Sequence, residues 1–344
     1  MSQTIRLPET MATWPLPRRL NPHYADVVQQ SADWISSFGA FGPRAQLAFD
    51  RCNIGLLATM SYPTLSKATA EHYRIGCDLM NLFFVWDDHT DPLSATEVRA
   101  IADSSLDAIH HPDKERPQGE SVIGEMTRQF WVNALNSSTS ETFQRRFKQK
   151  WEEFLCAVIE QAEDRDCDRC RTVDEYLSVR RLTIGAEPSY AVAEASMDLP
   201  QEVFDHPLLV ALRRDVTDLI ILDNDMSSYN KEQAVGDDHH NIITIIMHEK
   251  GYNLQEAIEW LAAEHKARED RILTTSWPQV AALTFSPEVD QLLTYYVDHV
   301  LNWPRANDCW NFESGRYFGS DGLRIQKERV VRLLPKRQPA RVDM

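Results

Sequence analysis

The sequence predicts an all-α fold, one large helical bundle, on three observations. Apolar residues recur three and four positions apart along most of the chain, the spacing that lines one face of a helix. Only 12 of the 344 residues are glycine, which argues against hairpin-rich folds and glycine-looped nucleotide binders. No stretch sustains the strict alternation of a half-buried strand. Apolar residues make up 43% of the chain, with 13 Phe, 10 Tyr and 9 Trp, enough for a sizeable core.

In chain order, residues 1–22 carry Pro8, Pro15, Pro17 and Pro22 and read as an extended, mobile arm. Helical periodicity then runs through 24–38, 45–60, 66–86 and 95–109. It continues through 121–135, 141–161, 174–195 and 207–229, then 240–250, 254–275, 287–301 and 303–317. Helix-breaking residues punctuate the pattern, among them Pro63, Pro92, Pro117, Pro200, Gly236, Gly251, Pro278 and Pro304. The polar run 163–171 is the best loop candidate. There is no fixed-period repeat and no interdomain linker, so 23–333 is expected to form one domain, followed by a polar tail, 334–344.

A net charge of −16 repels nucleic acid and anionic membrane alike, so neither is an expected partner. No segment approaches the roughly 18 consecutive apolar residues of a membrane span. The start of the chain lacks an apolar leader core, and the six cysteines are irregularly spaced. Reduced thiols and a cytoplasmic location are expected. The oligomeric expectation is a monomer or homodimer.

Two segments carry the chemistry. NLFFVWDDHTD (81–91) and LIILDNDMSSYNKE (219–232) are each an apolar run that turns abruptly into carboxylates. An apolar helix belongs in a core, so the carboxylates at its end belong at the rim of a cavity. Asp87 and Asp91 stand four apart, about 6 Å along one helical face, a spacing suited to shared cations. Asn224, Ser228 and Glu232 follow one another at intervals of four, drifting by only about 40° per step. Carboxylate, amide and hydroxyl oxygens are hard ligands that suit Mg²⁺. Lys231 beside them is a candidate phosphate contact. Phe83, one turn before Asp87, should face the same cavity, with Phe84 one step round.

The two segments resemble the paired signatures of class I terpene cyclases, an aspartate-rich DDxxD box (87–91) and an Asn/Ser/Glu triad (224–232). Three further stretches agree with that family. RRLTIGAEP (180–188) resembles its helix break with a diphosphate-sensing arginine. WNFESGRYF (310–318) resembles its C-terminal Arg-Tyr pair, and LPRRLNP (16–22) the N-terminal arm of fungal sesquiterpene synthases. The resemblance covers nearly the whole chain. It implies three Mg²⁺ ions clamping the diphosphate of a prenyl substrate, farnesyl diphosphate for a domain of this size. Asp87 and Asp91 would hold ions on one side and Asn224, Ser228 and Glu232 on the other. Arg181, Lys231, Arg316 and Tyr317 would bind the diphosphate. Arg181 is preferred over Arg180 because it lies four residues before Gly185, as the sensor does in that family. Trp310, six residues before Arg316, would join Phe83 in the cavity wall.

Rival readings make distinct demands. A chain-elongating prenyl synthase would carry a second DDxxD box where the triad stands. A class II cyclase would need DxDD, which the chain lacks. A cyclase for a C10 or C20 substrate shares the same motifs. A non-catalytic helical protein would turn over no prenyl diphosphate. Cys167 and Cys170 lack a second ligand pair for structural zinc. His239 and His240 read as a polar entry to the next helix, and the sequon at Asn136 as silent.

Overall fold

The computed structural model describes residues 4–64, 70–138 and 140–336. Most of the polar tail and the start of the helix expected over 66–86 lie outside the described residues. The architecture is an α-helical bundle. α1 (Tyr24–Ser36) and α3 (Ile54–Ser61) pack on α4 (Ala70–Thr90), which also meets α6 (Val122–Ser137). α5 (Ala95–His110) lies against α6 and α7 (Glu141–Asp166). After α8 (Val173–Thr183), α9 (Ala186–Ala191) and the short α10 (Gln201–Phe204), the long α11 (Pro207–Val235) crosses the middle. It packs on α13 (Leu254–Arg271) and α15 (Pro287–Glu313). α12 (Ile242–Lys250), α14 (Trp277–Ala281) and α16 (Gly322–Glu328) complete the set.

Helix starts follow ordinary capping rules. Ser94 with Glu97, Thr172 with Glu175 and Asn253 with Glu256 form capping boxes at α5, α8 and α13, each satisfying two orphan donors. Inside, α7 lays Phe143, Phe147, Trp151 and Phe154 along one face, ring against ring. Phe83 of α4 continues that series at 4.9 Å from Phe154. Among the described residues, no helix is long and apolar enough to cross a membrane. All six cysteines are unpaired.

Four elements depart from the sequence reading. The single helix expected over 45–60 is two, α2 (Pro43–Arg51) and α3, because Asn53 takes a left-handed turn at φ 45°, which asparagine tolerates better than most residues. The stretches 287–301 and 303–317 are joined in one helix as far as Glu313, since α15 runs through Pro304, and 314–317 form the turn after it. Proline there forfeits one helical hydrogen bond, and burial of Leu301, Trp303, Ala306 and Trp310 around it holds the helix together. The expected loop 163–171 is helical up to Asp166. The arm is packed: Thr4–Arg6 pairs antiparallel with Val330–Arg332, and Met11 and Trp14 are buried. Arg305 of α15 donates to the carbonyls of Met11, Trp14 and Leu16 at 2.7–3.2 Å.

On the buried side of α15, His299 stacks on Tyr62 at 5.2 Å. It is 1% exposed, and neither ring nitrogen has a partner among the described residues. Burial pushes its pKa down to about 3, against about 6.5 in the unfolded chain. Its contribution to stability is therefore present above pH 6.5 and lost as pH falls toward 3. Replacing His299 with Phe, which keeps the stack, should flatten the fall in thermal midpoint across that window. An unchanged acid profile in the variant would show that His299 is not what makes the fold acid-sensitive.

Candidate active site

α4, α7, α11 and α15 enclose a cavity of about 570 Å³. On α4, Met80, Phe83, Asp87 and Asp91 line it in that order, three to four residues apart and so on one face. The wall is apolar in depth and acidic at the rim. Asp91 lies one residue past the end of α4, its amide still donating to Asp87 O at 3.1 Å. Phe83 presses on Gly185, where α8 breaks into α9. A β-carbon there would sit 3.0 Å from the ring, and φ is 72°. Glycine meets both requirements at once.

α11 forms the facing wall through Ile220, Asn224, Lys231 and Glu232. Ser228, on the same helix, is 2% exposed and lies beneath the cavity surface, its hydroxyl donating to Asp225 O at 3.3 Å. Asn241, which the motifs do not mark, ties two members of the triad, Ser228 and Glu232, to each other. Its amide donates to Glu232 Oε2 at 2.8 Å, to Ser228 Oγ at 3.3 Å and to Asp225 O at 2.8 Å. Its oxygen caps α12 through Ile243 N.

The third wall comes from α15 and the turn after it. Trp303, Asn307 and Trp310 line the cavity, followed by Arg316 and Tyr317. Trp310 donates to the carbonyls of Cys52 and Asn53 at 2.9 and 3.1 Å, both at the α2–α3 break. Gly315 N donates to Arg51 O. Arg316 spreads its fork between Asp88 Oδ1 at 2.9 Å and Asp87 Oδ2 at 2.8 Å. It also lies over the Phe84 ring, 5.1 Å from the centroid. Tyr317 accepts from the Asn224 amide at 2.9 Å.

Arg181, expected from the sequence to bind the diphosphate, is absent from the cavity lining. Its guanidinium turns away from the cavity and holds Asp218 at 2.6 and 3.0 Å. Arg180 lines the cavity instead, donating to Asn224 Oδ1 at 2.9 Å and Asp225 Oδ1 at 3.1 Å. Successive helical residues point about 100° apart. Tyr176, Arg180 and Thr183, spaced four and three, share the face turned to Asn224 and Asp225. That spacing is the signal the sequence held. His240 is also in the lining, packed on Tyr176 at 4.9 Å rather than on a polar surface. Burial and the charges of Arg180, Arg171 and Arg165 keep it neutral. Arg165 joins the rim from α7, inside the stretch read as a loop.

The rim is electrostatically crowded. Burial and the charges of Asp87 and Asp237 push Asp91 well above the usual carboxylate range. Burial, then the Asp225 charge, pushes Glu232 up to about 7. Among the described residues, no three His, Cys, Asp or Glu side chains converge on one metal position. The donors on α4 and α11 are all hard oxygens, facing each other in two rows. That fits a cation which takes only part of its coordination from protein and is welcomed by excess negative charge.

Residues 78–271 match the family model described as terpene synthase family 2, C-terminal metal binding. The sesquiterpene synthase 14 of Postia placenta is 50% identical over 96% of this chain and 93% of its own. A Delta(6)-protoilludene synthase of Stereum hirsutum is 46% identical over 99% and 96%. The chain belongs to the terpene synthase family. This terpene synthase is a class I enzyme, a lyase acting on a prenyl diphosphate, and its matched region is the family's divalent-metal-binding part. Its fold is shared by a-eudesmol synthase, with a TM-score of 0.77 at 22% identity, covering 88% of this chain and 98% of that one.

Gly315 tests how the terpene synthase holds its C-terminal turn. A β-carbon at that position would lie 2.6 Å from Arg51 O, a backbone atom that cannot step aside cheaply. Gly315→Ala should displace Arg316 and Tyr317, weakening metal-dependent binding of inorganic diphosphate in calorimetry while helical circular dichroism persists. Parent-like binding would show that the turn has slack.

Proposed function

We propose that the enzyme ionises farnesyl diphosphate with Mg²⁺ and closes the C15 chain into a sesquiterpene. The observation that carries this reading is the pair of oxygen-donor rows facing each other across the mouth of an aromatic-walled cavity. The names of the relatives above, a sesquiterpene synthase and a protoilludene synthase, support a C15 substrate. A cavity of about 570 Å³ falls in the range of small-molecule sites.

Asp87 and Asp91 on one side, and Asn224, Ser228 and Glu232 on the other, would hold the metal, three ions by family likeness. When bound, Mg²⁺ supplies Lewis acidity, drawing off the charge that collects on the diphosphate as its C–O bond breaks. Arg180, Lys231, Arg316 and Tyr317 donate hydrogen bonds to diphosphate oxygens, the arginines through planar forks. Arg180 takes the role expected of Arg181. Phe83, Phe84 and Trp310 face the hydrocarbon and exclude water. Their rings stabilise a passing cation by about 0.5–2 kcal/mol each. Asn241 keeps Glu232 and Ser228 aimed at one point.

The purified protein should release diphosphate from farnesyl diphosphate only with Mg²⁺ or Mn²⁺, and Asp87→Asn or Glu232→Gln should cut turnover by orders of magnitude. Undiminished turnover in EDTA would sink the reading. A second experiment separates the adjacent arginines. Arg180→Ala should weaken binding of inorganic diphosphate with Mg²⁺ by roughly 1.5–3 kcal/mol, the worth of a charged hydrogen bond. Arg181→Ala should leave that binding intact and lower the urea midpoint, because buried Asp218 loses a partner. The reverse pattern would restore Arg181 as the sensor.

A further inference from the structure

Of the four helices that enclose the cavity, α7 is the one to which the motifs assign nothing. Phe154, Val158, Gln161 and Arg165 line the cavity from it, at intervals of four, three and four, and so on one face. From depth to rim they run aromatic, aliphatic, amide, guanidinium. α4 and α11 likewise run from apolar residues to charged ones, reaching Asp87 and Asp91 on α4 and Lys231 and Glu232 on α11, with Val235 beyond them. Arg165 therefore stands where the other two helices place their charged groups.

Its guanidinium is tethered on one edge. Nη2 donates to Leu93 O at 2.8 Å and Thr90 O at 3.3 Å, the carbonyls that bracket Asp91 and Pro92. Two neighbouring contacts fasten the same turn: Ala95 N donates to Asp166 Oδ2 at 2.8 Å, and Arg99 pairs with Glu163 at 2.8 Å. The tether uses one nitrogen of three. Among the described residues, Nε and Nη1 have no hydrogen-bond partner, and no carboxylate forms an ion pair with Arg165. Arg180 and Arg316, by contrast, are each engaged with carboxylates. A guanidinium is always charged and offers five donors in a rigid fork.

We propose that Arg165 is a further diphosphate-binding residue, held by Nη2 to the α4–α5 turn and donating its other edge to a phosphate oxygen at the cavity mouth. This rests on the reading that a diphosphate sits there. A guanidinium fixed to that turn couples the anion to Asp91, so the phosphate contact and the acidic lip move together.

The test is titration calorimetry of inorganic diphosphate with Mg²⁺ on the full chain, beside thermal unfolding without ligand. Arg165→Gln should weaken binding by about tenfold or more, as expected for one lost charged hydrogen bond. Arg165→Lys, which keeps the charge but not the fork, should fall between it and the parent. Asp166→Ala loosens the same turn without removing a donor, and should leave the affinity unchanged while lowering the melting temperature. Parent-like affinity in Arg165→Gln, or an equal loss in Asp166→Ala, would reduce Arg165 to a tether and overturn the proposal. Failure of the parent itself to bind diphosphate would instead sink the functional reading, and the proposal with it.

Discussion

The mouth of the cavity depends on where α11 sits along its own axis, and buried carboxylates set that position. Asp215, Asp218, Asp223 and Asp225 are each at most 2% exposed. Asp215 takes both arms of Arg271 at 2.7 Å, and Asp218 takes Arg181 and Arg268. Asp223 meets His265 at 3.2 Å. Asp225 takes Arg180, the Tyr176 hydroxyl at 2.5 Å and Ile242 N at 3.1 Å. A buried ion pair gains little net stability, yet breaking one strands an unpaired charge at a cost of about 3–5 kcal/mol. Sliding α11 by one residue would rotate it by about 100° and break all of these pairs together. Asn224 and Glu232 inherit their placement from that lock between α8 and α13.

Two arginines, one of them part of that lock, offset the negative charge of the rim. Arg316 bridges Asp87 and Asp88 while itself only 8% exposed, so it is desolvated against the carboxylates it neutralises. Arg180 joins Asn224 to Asp225 and thereby belongs to both the lock and the rim. Two adjacent arginines on α8 thus divide the work. One holds α11 from behind, and the other reaches through to the cavity. A chain with a net charge of −16 still gathers Arg165, Arg180, Lys231 and Arg316 at one opening.

Much of this was legible in the sequence, because it rests on short-range patterns. Helical periodicity gave the bundle, and two apolar runs ending in oxygen ligands gave the facing walls. What the sequence reading missed depends on contacts across the chain. Nothing local says that Asn53 breaks a helix, since its turn is stabilised by what docks there: Trp310 and Gly315, which take up the carbonyls of Arg51, Cys52 and Asn53. Pro304 reads as a terminator, yet burial along α15 outweighs one lost hydrogen bond. Arg180 and Arg181 differ by one step of rotation, and only the partners on α11 decide between them. Asn241 lies nine residues past Glu232 in a turn without periodicity, so its three amide contacts leave no pattern to read.

The aromatic wall and the groups proposed to clamp the anion are not separate parts. Phe84 lies between Arg316, over its face at 5.1 Å, and Trp310 at 5.2 Å. Trp310 in turn meets Tyr317 edge-on at 5.7 Å. On the proposed reading, the rings beside the breaking bond also position the groups that hold the leaving diphosphate, so a change there disturbs binding and ionisation together. The deeper lining is under a different constraint. Leu57, Met80, Ile220 and Trp303 give it a largely apolar surface, and two polar side chains among them are turned to backbone. Ser189 Oγ donates to Gly185 O at 2.7 Å, and the Asn307 amide to Ile220 O at 3.4 Å. A floor shaped by such residues can change its contour without touching the clamp. On the proposed reading, the floor shapes the hydrocarbon and the rim serves its ionisation.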